Sequence, residues 1–326
     1  MKRAAIAGWA FVAPEQRLTN ADLEARLDTS DEWIISRTGI RERRIAVADE
    51  TTATMGAEAT LAAIKDAGLT PDDIDLLVVA TITPEQPVPH TGAFIGDHIG
   101  LKCGSFDLNA GCAGFVYATI AAAGMLSFGF ANIAVVGTET LSRIVDPTDR
   151  NTCVLFGDGA GAYVLQPSED RGILSADLGC DGSAADLLQV TAGGSRRPTT
   201  AETLLAGEQF LKMNGQEVFK RAVRAVVDSA RTAIERAELT VDDIDWFVPH
   251  QANVRIVDAA ASRLGIDAAR SVVNIEHYGN TSAASIPIAL FEAVDDGRIG
   301  DGDLVLVSGF GAGMAWASAV IRWGRP

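Results

Sequence analysis

Cys112 ends the stretch Asp107-Leu108-Asn109-Ala110-Gly111-Cys112-Ala113-Gly114-Phe115, an apolar approach to a thiol surrounded by glycine and alanine. Neighbours that small let the backbone turn sharply and let a substrate carbonyl come close to it. Residues 115–128 carry no charge and are rich in alanine, which predicts a helix apolar on every side and therefore buried in the middle of the protein. At the first turn of that helix, unpaired N–H groups and the positive end of the dipole favour thiolate over thiol, the state a nucleophile needs. A free cysteine is also a common core residue, so this stretch alone leaves a nucleophile and a packing thiol both open. Two other polar clusters interrupt apolar sequence: Val248-Pro249-His250-Gln251-Ala252-Asn253, and His277-Tyr278-Gly279-Asn280-Thr281-Ser282-Ala283-Ala284-Ser285. Each follows a predicted strand.

The elements that must position these groups come in two copies. Residues 58–80 resemble residues 228–250: the shared Asp-Asp-Ile-Asp begins at Asp72 and again at Asp242, 170 residues later. In both copies alanine recurs at helical spacing, a Leu-Thr pair breaks the helix, and a short apolar run follows, so each is a helix leading into a buried strand. More weakly, residues 133–137 pair with 304–308, and Gly111-Cys112 falls opposite Gly279-Asn280. His250 ends the strand whose partner in the first copy ends at Ala80. A pseudo-two-fold relation between the halves brings Cys112 and Asn280 together at the centre.

The pattern predicts strands at 3–8, 75–81, 104–108, 132–137 and 158–166, and helices at 20–27, 31–37, 53–67, 91–99 and 112–128. In the second part it predicts strands at 172–179, 245–248, 303–308 and 314–322, helices at 214–237, 253–264 and 282–296, and an irregular span over 180–207. Residues 191–200 within that span are rich in Gly, Ser and Pro and read as a surface loop. Alternating strands and helices imply an α/β fold of mixed sheets with helices on both faces and a helical layer shared between halves at 1–170 and 171–326.

With 326 residues, 48% of them hydrophobic, the chain can bury a large core. The apolar run near the N-terminus closes at Glu15 and Arg17, too short for a membrane span. A formal charge of −16 argues against nucleic acid or an anionic membrane as general partner. Four irregularly spaced cysteines (Cys103, Cys112, Cys153, Cys180) give neither a disulfide framework nor a zinc pattern, so we expect reduced thiols and a cytoplasmic location.

Taken together, the motifs around Cys112, His250 and Asn280 resemble the β-ketoacyl-acyl carrier protein synthase III family of the thiolase superfamily. So do the opening segment from Asp31 to Arg43, the run Asp146-Pro147-Thr148-Asp149-Arg150, and Phe156-Gly157-Asp158-Gly159-Ala160-Gly161-Ala162. The match runs in order along nearly the whole chain. It implies a thiolase-like, duplicated α-β-α-β-α layered fold and a homodimer that joins an acyl-CoA primer to malonyl-acyl carrier protein with loss of CO₂. Cys112 would carry the acyl primer, and His250 and Asn280 would present N–H donors to the enolate left by decarboxylation. The resemblance places an oxyanion hole at the backbone N–H groups of Cys112 and Ala312; the family usually has three glycines running where this chain has Gly311-Ala312-Gly313. It assigns the coenzyme A and carrier-arm tunnel to Trp33, Arg37, Arg150 and Asn253, with Trp33 suited to adenine and the arginines to phosphate. It also assigns the far end of the acyl pocket to Val88 of the partner subunit, where many relatives carry Phe. No metal or redox cofactor is implied.

An acidic carrier protein would need a basic patch, and Lys220, Arg221 and Arg224 on one helix, with Arg255 beyond the next strand, supply candidates; a solvated helix face reads the same way. A degradative thiolase would need a second cysteine near the C-terminal Gly-rich loop, and none follows Cys180. A non-catalytic partner of the same fold would lack the nucleophile. A specialised condensing enzyme or acyltransferase of secondary metabolism stays open through Val88 and the 309–317 segment.

Overall fold

A computed structural model describes residues 2–326. The chain begins with β1 (Arg3–Val12), β2 (Arg17–Thr19), α1 (Asn20–Glu24), α2 (Asp31–Thr38), β3 (Glu42–Arg44), α3 (Thr52–Asp66) and β4 (Leu76–Ala80). Next come α4 (Thr91–Ile99), β5 (Gly104–Leu108), α5 (Gly114–Met125), β6 (Ile133–Thr140) and β7 (Asp158–Ser168). The rest is β8 (Gly172–Cys180), β9 (Leu188–Val190), α6 (Ala201–Leu205), β10 (Leu211–Met213), α7 (Gly215–Arg236), β11 (Trp246–Pro249), α8 (Val254–Leu264), α9 (Ile275–Tyr278), α10 (Ser285–Asp295), β12 (Leu304–Gly311) and β13 (Ala315–Arg322).

Two mixed sheets carry the architecture, one ordered β1-β7-β6-β4-β5 and the other β11-β12-β13-β8. β4 runs parallel to β5 and β6, and β11 runs parallel to β12; the remaining pairings in both sheets are antiparallel. β4 and β6 are buried along their whole length, as the apolar runs Leu76–Ala80 and 133–137 require of strands covered on both faces, although β6 ends in the buried polar residues Thr138, Glu139 and Thr140. α5 packs on β4, β5 and β6 of one sheet and on β8, β12 and β13 of the other, while α10 packs on β1 and β7 and on β11 and β12. These two helices form the middle layer. α3 and α4 cover the first sheet from outside, and α7, with α8 against it, covers the second. The five layers are those of the thiolase-like arrangement that the sequence resembles.

The repeated Asp-Asp-Ile-Asp has a physical role in each copy. Asp73 caps its turn by accepting from Thr70 N and Oγ1 at 2.8 and 2.6 Å, and Asp243 accepts from Thr240 N and Oγ1 at 2.8 and 2.7 Å. The last aspartate of each motif then ties the incoming strand to its neighbour: Asp75 accepts from Asn132 N at 2.9 Å, Asp245 from Leu304 N at 2.8 Å.

Several expectations need correction. The central helix starts at Gly114, so Cys112 precedes it rather than sitting in its first turn. Only its N-terminal part is buried throughout; Phe128, beyond its end, is 80% exposed. By composition Gly111–Phe128 is long and apolar enough to cross a membrane, and half of it is buried inside this fold. The 180–207 span is not irregular throughout, since β9 and α6 lie in it and β9 pairs with β10. Residues 191–200 are exposed or half-exposed except Ala192. The copies also align differently at the central helices: Gly111 (φ 58°) and Ser282 (φ 48°) precede α5 and α10 by the same three residues, so Gly111 stands opposite Ser282 rather than Gly279.

Candidate active site

Cys112 is 6% exposed and is wedged between two glycine-bearing turns. A Cβ on Gly311 would lie 2.2 Å from Cys112 N, one on Gly309 2.9 Å from Ala113 Cα, and one on Gly111 2.6 Å from Ala312 N. Only glycine at these places lets the end of β12 close over the cysteine turn. Burial, aided by the Glu139 charge, pushes the thiol up to about 12, outweighing the opposing influence of the nearby Ser282 hydroxyl. The resting group is therefore a thiol, and the expectation of a thiolate at a helix start is corrected: Cys112 lies outside the helix and is desolvated.

His250 follows the last residue of β11 and its N–H donates to Ser308 O at 2.8 Å. Its Nδ1 lies 2.5 Å from Ser285 Oγ, which also accepts from Gln251 N at 3.2 Å. The serine hydroxyl proton then points to Nδ1, which places the ring's own proton on Nε2 as a donor. Burial pulls the imidazole down to about 3, so it is neutral at any physiological pH. Asn280 is held by N–H donation to Leu155 O at 2.8 Å and by accepting from Gly157 N at 3.0 Å. Its Oδ1 accepts from Ser282 N at 2.9 Å, which fixes the amide orientation and leaves Nδ2 to donate. Gly279, at φ 67°, has no room for a Cβ, which would meet Leu155 O at 2.8 Å.

Cys112, His250 and Asn280 line one pocket of about 890 Å³, including its solvent-open mouth, with Asn253 and apolar side chains such as Leu188, Met213 and Phe310. Cys112 is the sole cysteine lining it. Two uncharged N–H donors facing a buried thiol suit the stabilisation of an oxyanion beside a thioester. Asn253 Nδ2 donates to Arg37 O at 2.9 Å and so joins the pocket to α2. There the Arg37 and Arg150 guanidinium carbons lie 5.9 and 4.9 Å from the Trp33 ring centre, one cluster of an aromatic face and two cations.

Other sequence candidates lie elsewhere. Ala312 does not line the pocket, though its N–H abuts Gly111, and its φ is not positive, so alanine fits there without backbone strain. Val88 is 81% exposed and outside the pocket of a single chain. Lys220, Arg221 and Arg224 line a separate groove, and each already faces a carboxylate: Glu217 at 2.7 Å, Asp181 at 3.0 Å and Asp228 at 3.6 Å. That patch is less positive than its sequence suggests. Arg255 stacks 5.7 Å from the ring of Phe219, which lines the Cys112 pocket. Three polar residues that the sequence reading gave no role, Glu139, Ser282 and Ser285, are buried beside the site. Ser282 and Ser285 belong to the polar cluster around Asn280, and Glu139 is signalled by a carboxylate two residues beyond the apolar run 133–137. No cluster of three metal-ligating side chains occurs among the described residues.

Residues 106–182 match the family model for 3-oxoacyl-[acyl-carrier-protein (ACP)] synthase III, and residues 234–323 match the model of its C-terminal part. The chain is 50% identical to β-ketoacyl-[acyl-carrier-protein] synthase III of Symbiobacterium thermophilum over 323 residues, 98% of each protein. The chain belongs to this synthase III family. A solved synthase III of Thermus thermophilus shares 45% identity with a TM-score of 0.92, covering 99% of this chain and 100% of that one. The priming β-ketosynthase of the R1128 polyketide pathway also superposes at 0.92, with 38% identity over 100% of this chain and 98% of that one. The protein is thus a condensing enzyme of the acyltransferase type on a thiolase fold.

Proposed function

We propose that the protein condenses an acyl-CoA primer with malonyl-acyl carrier protein, giving a 3-oxoacyl-acyl carrier protein, CO₂ and CoA, the opening step of fatty acid synthesis. The observation that carries the reading is the meeting of Cys112 with the free donor ends of His250 and Asn280 in one pocket. Cys112 takes the acyl group from CoA. The backbone N–H groups of Cys112 and Ala312 receive the oxyanion of that step. The malonyl thioester then loses CO₂, and Nε2–H of His250 and Nδ2–H of Asn280 hold the enolate oxygen while its carbon attacks the acyl-cysteine. A neutral imidazole and an amide suit this because neither has to change charge.

Trp33, Arg37, Arg150 and Asn253 are assigned to the nucleotide and pantetheine arm, supported by their contiguity with the pocket. We assign carrier docking to Lys220, Arg221, Arg224 and Arg255; Arg255 beside Phe219 sits nearest the pocket. Exposed Val88 and Phe128 support a homodimer in which Val88 reaches the partner's acyl pocket, and four free thiols support a reducing, cytoplasmic setting. The halves 1–170 and 171–326 then supply the nucleophile and the donors. A panel of acetyl-, longer and branched acyl-CoA primers with malonyl-acyl carrier protein tests the reading. One CO₂ and one CoA per 3-oxoacyl product is expected; CoA release without carbon–carbon bond formation contradicts it. Because valine is several carbons smaller than phenylalanine, higher kcat/KM with longer or branched primers, reversed by Val88→Phe, is expected; strict selectivity for acetyl-CoA contradicts that part alone.

A further inference from the structure

His250 and Asn280 must keep a fixed separation to share one enolate oxygen, yet little sheet joins the segments that carry them. β11, which ends beside His250, has β12 on one side; on the other lies the segment 271–274, which leads through α9 and Gly279 to Asn280. Among the described residues the two backbones meet only at the bridge of Phe247 with Ser271, where Val272 N donates to Phe247 O at 2.8 Å. His250 N–H faces β12 and donates to Ser308 O, so the backbone of Pro249 faces this segment. A parallel ladder would next have residue 249 donate to Val272 O and accept from Asn274 N. Proline has no N–H to give, and the ladder stops there.

The side chain of Gln251 supplies both missing bonds. It is buried, and its Nε2 donates to Val272 O at 3.1 Å and to Pro249 O at 2.8 Å, while its Oε1 accepts from Asn274 N at 3.1 Å. Two carbonyls require the NH₂ end and a peptide N–H requires the oxygen, so the amide has one orientation. It stands where a peptide unit of the interrupted ladder would stand, opposite Val273. In the first copy the position 170 residues earlier is Thr81, whose backbone N–H carries the ladder on to Leu108 O at 3.2 Å after Val79 pairs with Asp107 and Ala80 with Leu108. No side-chain amide is needed on that side.

Gln251 also braces the other donor. Its backbone N–H donates to Ser285 Oγ at 3.2 Å, the oxygen that meets His250 Nδ1 at 2.5 Å. On the far side Asn274 Nδ2 donates to Glu292 Oε2 at 2.9 Å and Tyr278 OH to Glu292 Oε1 at 3.1 Å, which fastens both ends of α9, just before Gly279 and Asn280, to α10. We propose that Gln251 is a positioning residue that sets the separation of the His250 and Asn280 donors by standing in for the strand pairing that Pro249 interrupts. It does not line the pocket and acts through the two segments it joins. Donors aimed at one oxygen tolerate little displacement, since a shift of about 1 Å can cost about 10²-fold in rate. This rests on His250 and Asn280 as the groups that hold the enolate.

Two rates measured side by side test this: decarboxylation of malonyl-acyl carrier protein, and single-turnover acylation of Cys112 by acetyl-CoA or another accepted primer. Gln251→Met keeps the length of the side chain and removes its polar atoms. Decarboxylation should fall about 10- to 10²-fold while acylation stays within about threefold. Adding Pro249→Ala to that variant returns a backbone N–H facing Val272 O and should recover decarboxylation at least about threefold. Unchanged decarboxylation in folded Gln251→Met overturns the proposal. So do equal losses in both rates, the mark of general damage, and so does a double variant with no recovery. If Gln251→Met does not fold, Gln251→Asn, whose amide stops one carbon short of Val272 O and Asn274 N, decides on the same two rates. Decarboxylation that survives both His250→Ala and Asn280→Ala overturns the donor assignment and the positioning role with it, whereas donor-dependent decarboxylation untouched by the Gln251 variants sinks only the positioning role.

Discussion

The turns that start the two central helices share a backbone and differ in what they do with it. Ala113 before α5 has φ −81° and ψ −6°, and Ala284 before α10 has −78° and −15°. In each turn the residue after the positive-φ position presents a backbone N–H. In the second copy that group is Ala283 N, and it is spent on the Glu139 carboxylate at 3.4 Å. In the first copy it is Cys112 N, and across from it stands Gly311, which has no side chain to occupy the space. One turn holds a resident carboxyl group and the other is left for an anion that exists only during reaction. The approaches differ too: β5 is a regular strand beside β4 and feeds the cysteine, whereas its counterpart beside β11 shrinks to one bridge between Phe247 and Ser271. The chain released by that loss forms the irregular path through Gly279 that brings Asn280 to the pocket.

The comparison breaks most severely if the cysteine side is not the nucleophile. Cys112→Ser keeps the size but should cut acyl transfer from CoA by at least about 10³-fold with folding intact, read by single-turnover acylation and a thermal melt. On the donor side, His250→Ala and Asn280→Ala should each lower malonyl decarboxylation about 10²- to 10³-fold while Cys112 still takes up primer. Loss of self-acylation with normal decarboxylation would mean that the two sides have been exchanged.

Smaller substitutions sharpen the contrast. Ser285→Ala frees the imidazole to take either tautomer and should lower decarboxylation about 10-fold, leaving acylation within about threefold. Gly311→Ala places a Cβ 2.2 Å from Cys112 N and should destabilise the fold by about 1–3 kcal/mol on denaturant unfolding. Ala312→Gly, one residue on, should cost under about 1 kcal/mol, mainly through backbone entropy.

Acid should act on the two sides with opposite signs. His250 titrates at about 3 when folded against an ordinary 6.5, so between those values the unfolded chain binds the extra proton and stability falls as pH falls, by up to about 1.4 kcal/mol per unit. Glu139 titrates at about 7 against an ordinary 4.5, so between those values the folded chain binds the extra proton and stability falls as pH rises. The histidine contribution should therefore show most clearly below about pH 4.5, as a slope absent from His250→Ala in unfolding titrations.

Much of this was legible in the residues. Asp72 and Asp242 betray the duplication because the motif they open does the same capping and strand-tying work twice, and such work demands particular side chains at fixed spacing. Cys112, His250 and Asn280 stood out as polar groups after apolar strands, and they line one pocket. What was not legible depends on partners distant in sequence. β9 and β10 are three residues each, with Gln189 and Lys212 interrupting any apolar signal, yet they carry Leu188 and Met213 into the pocket. Helix-start reasoning suggested a thiolate at Cys112, but the desolvation that reverses it comes from the 309–313 turn nearly two hundred residues away. The basic look of Lys220, Arg221 and Arg224 was likewise tempered by carboxylates, one of them Asp181 from another element.

The most direct test is the mass of the intact protein, and of its cysteine peptides, after incubation with acetyl-CoA and with longer and branched acyl-CoA primers in the absence of malonyl-acyl carrier protein. We predict a single acyl adduct on Cys112. An adduct on Cys103, Cys153 or Cys180 in its place, or none with any primer, would contradict the account.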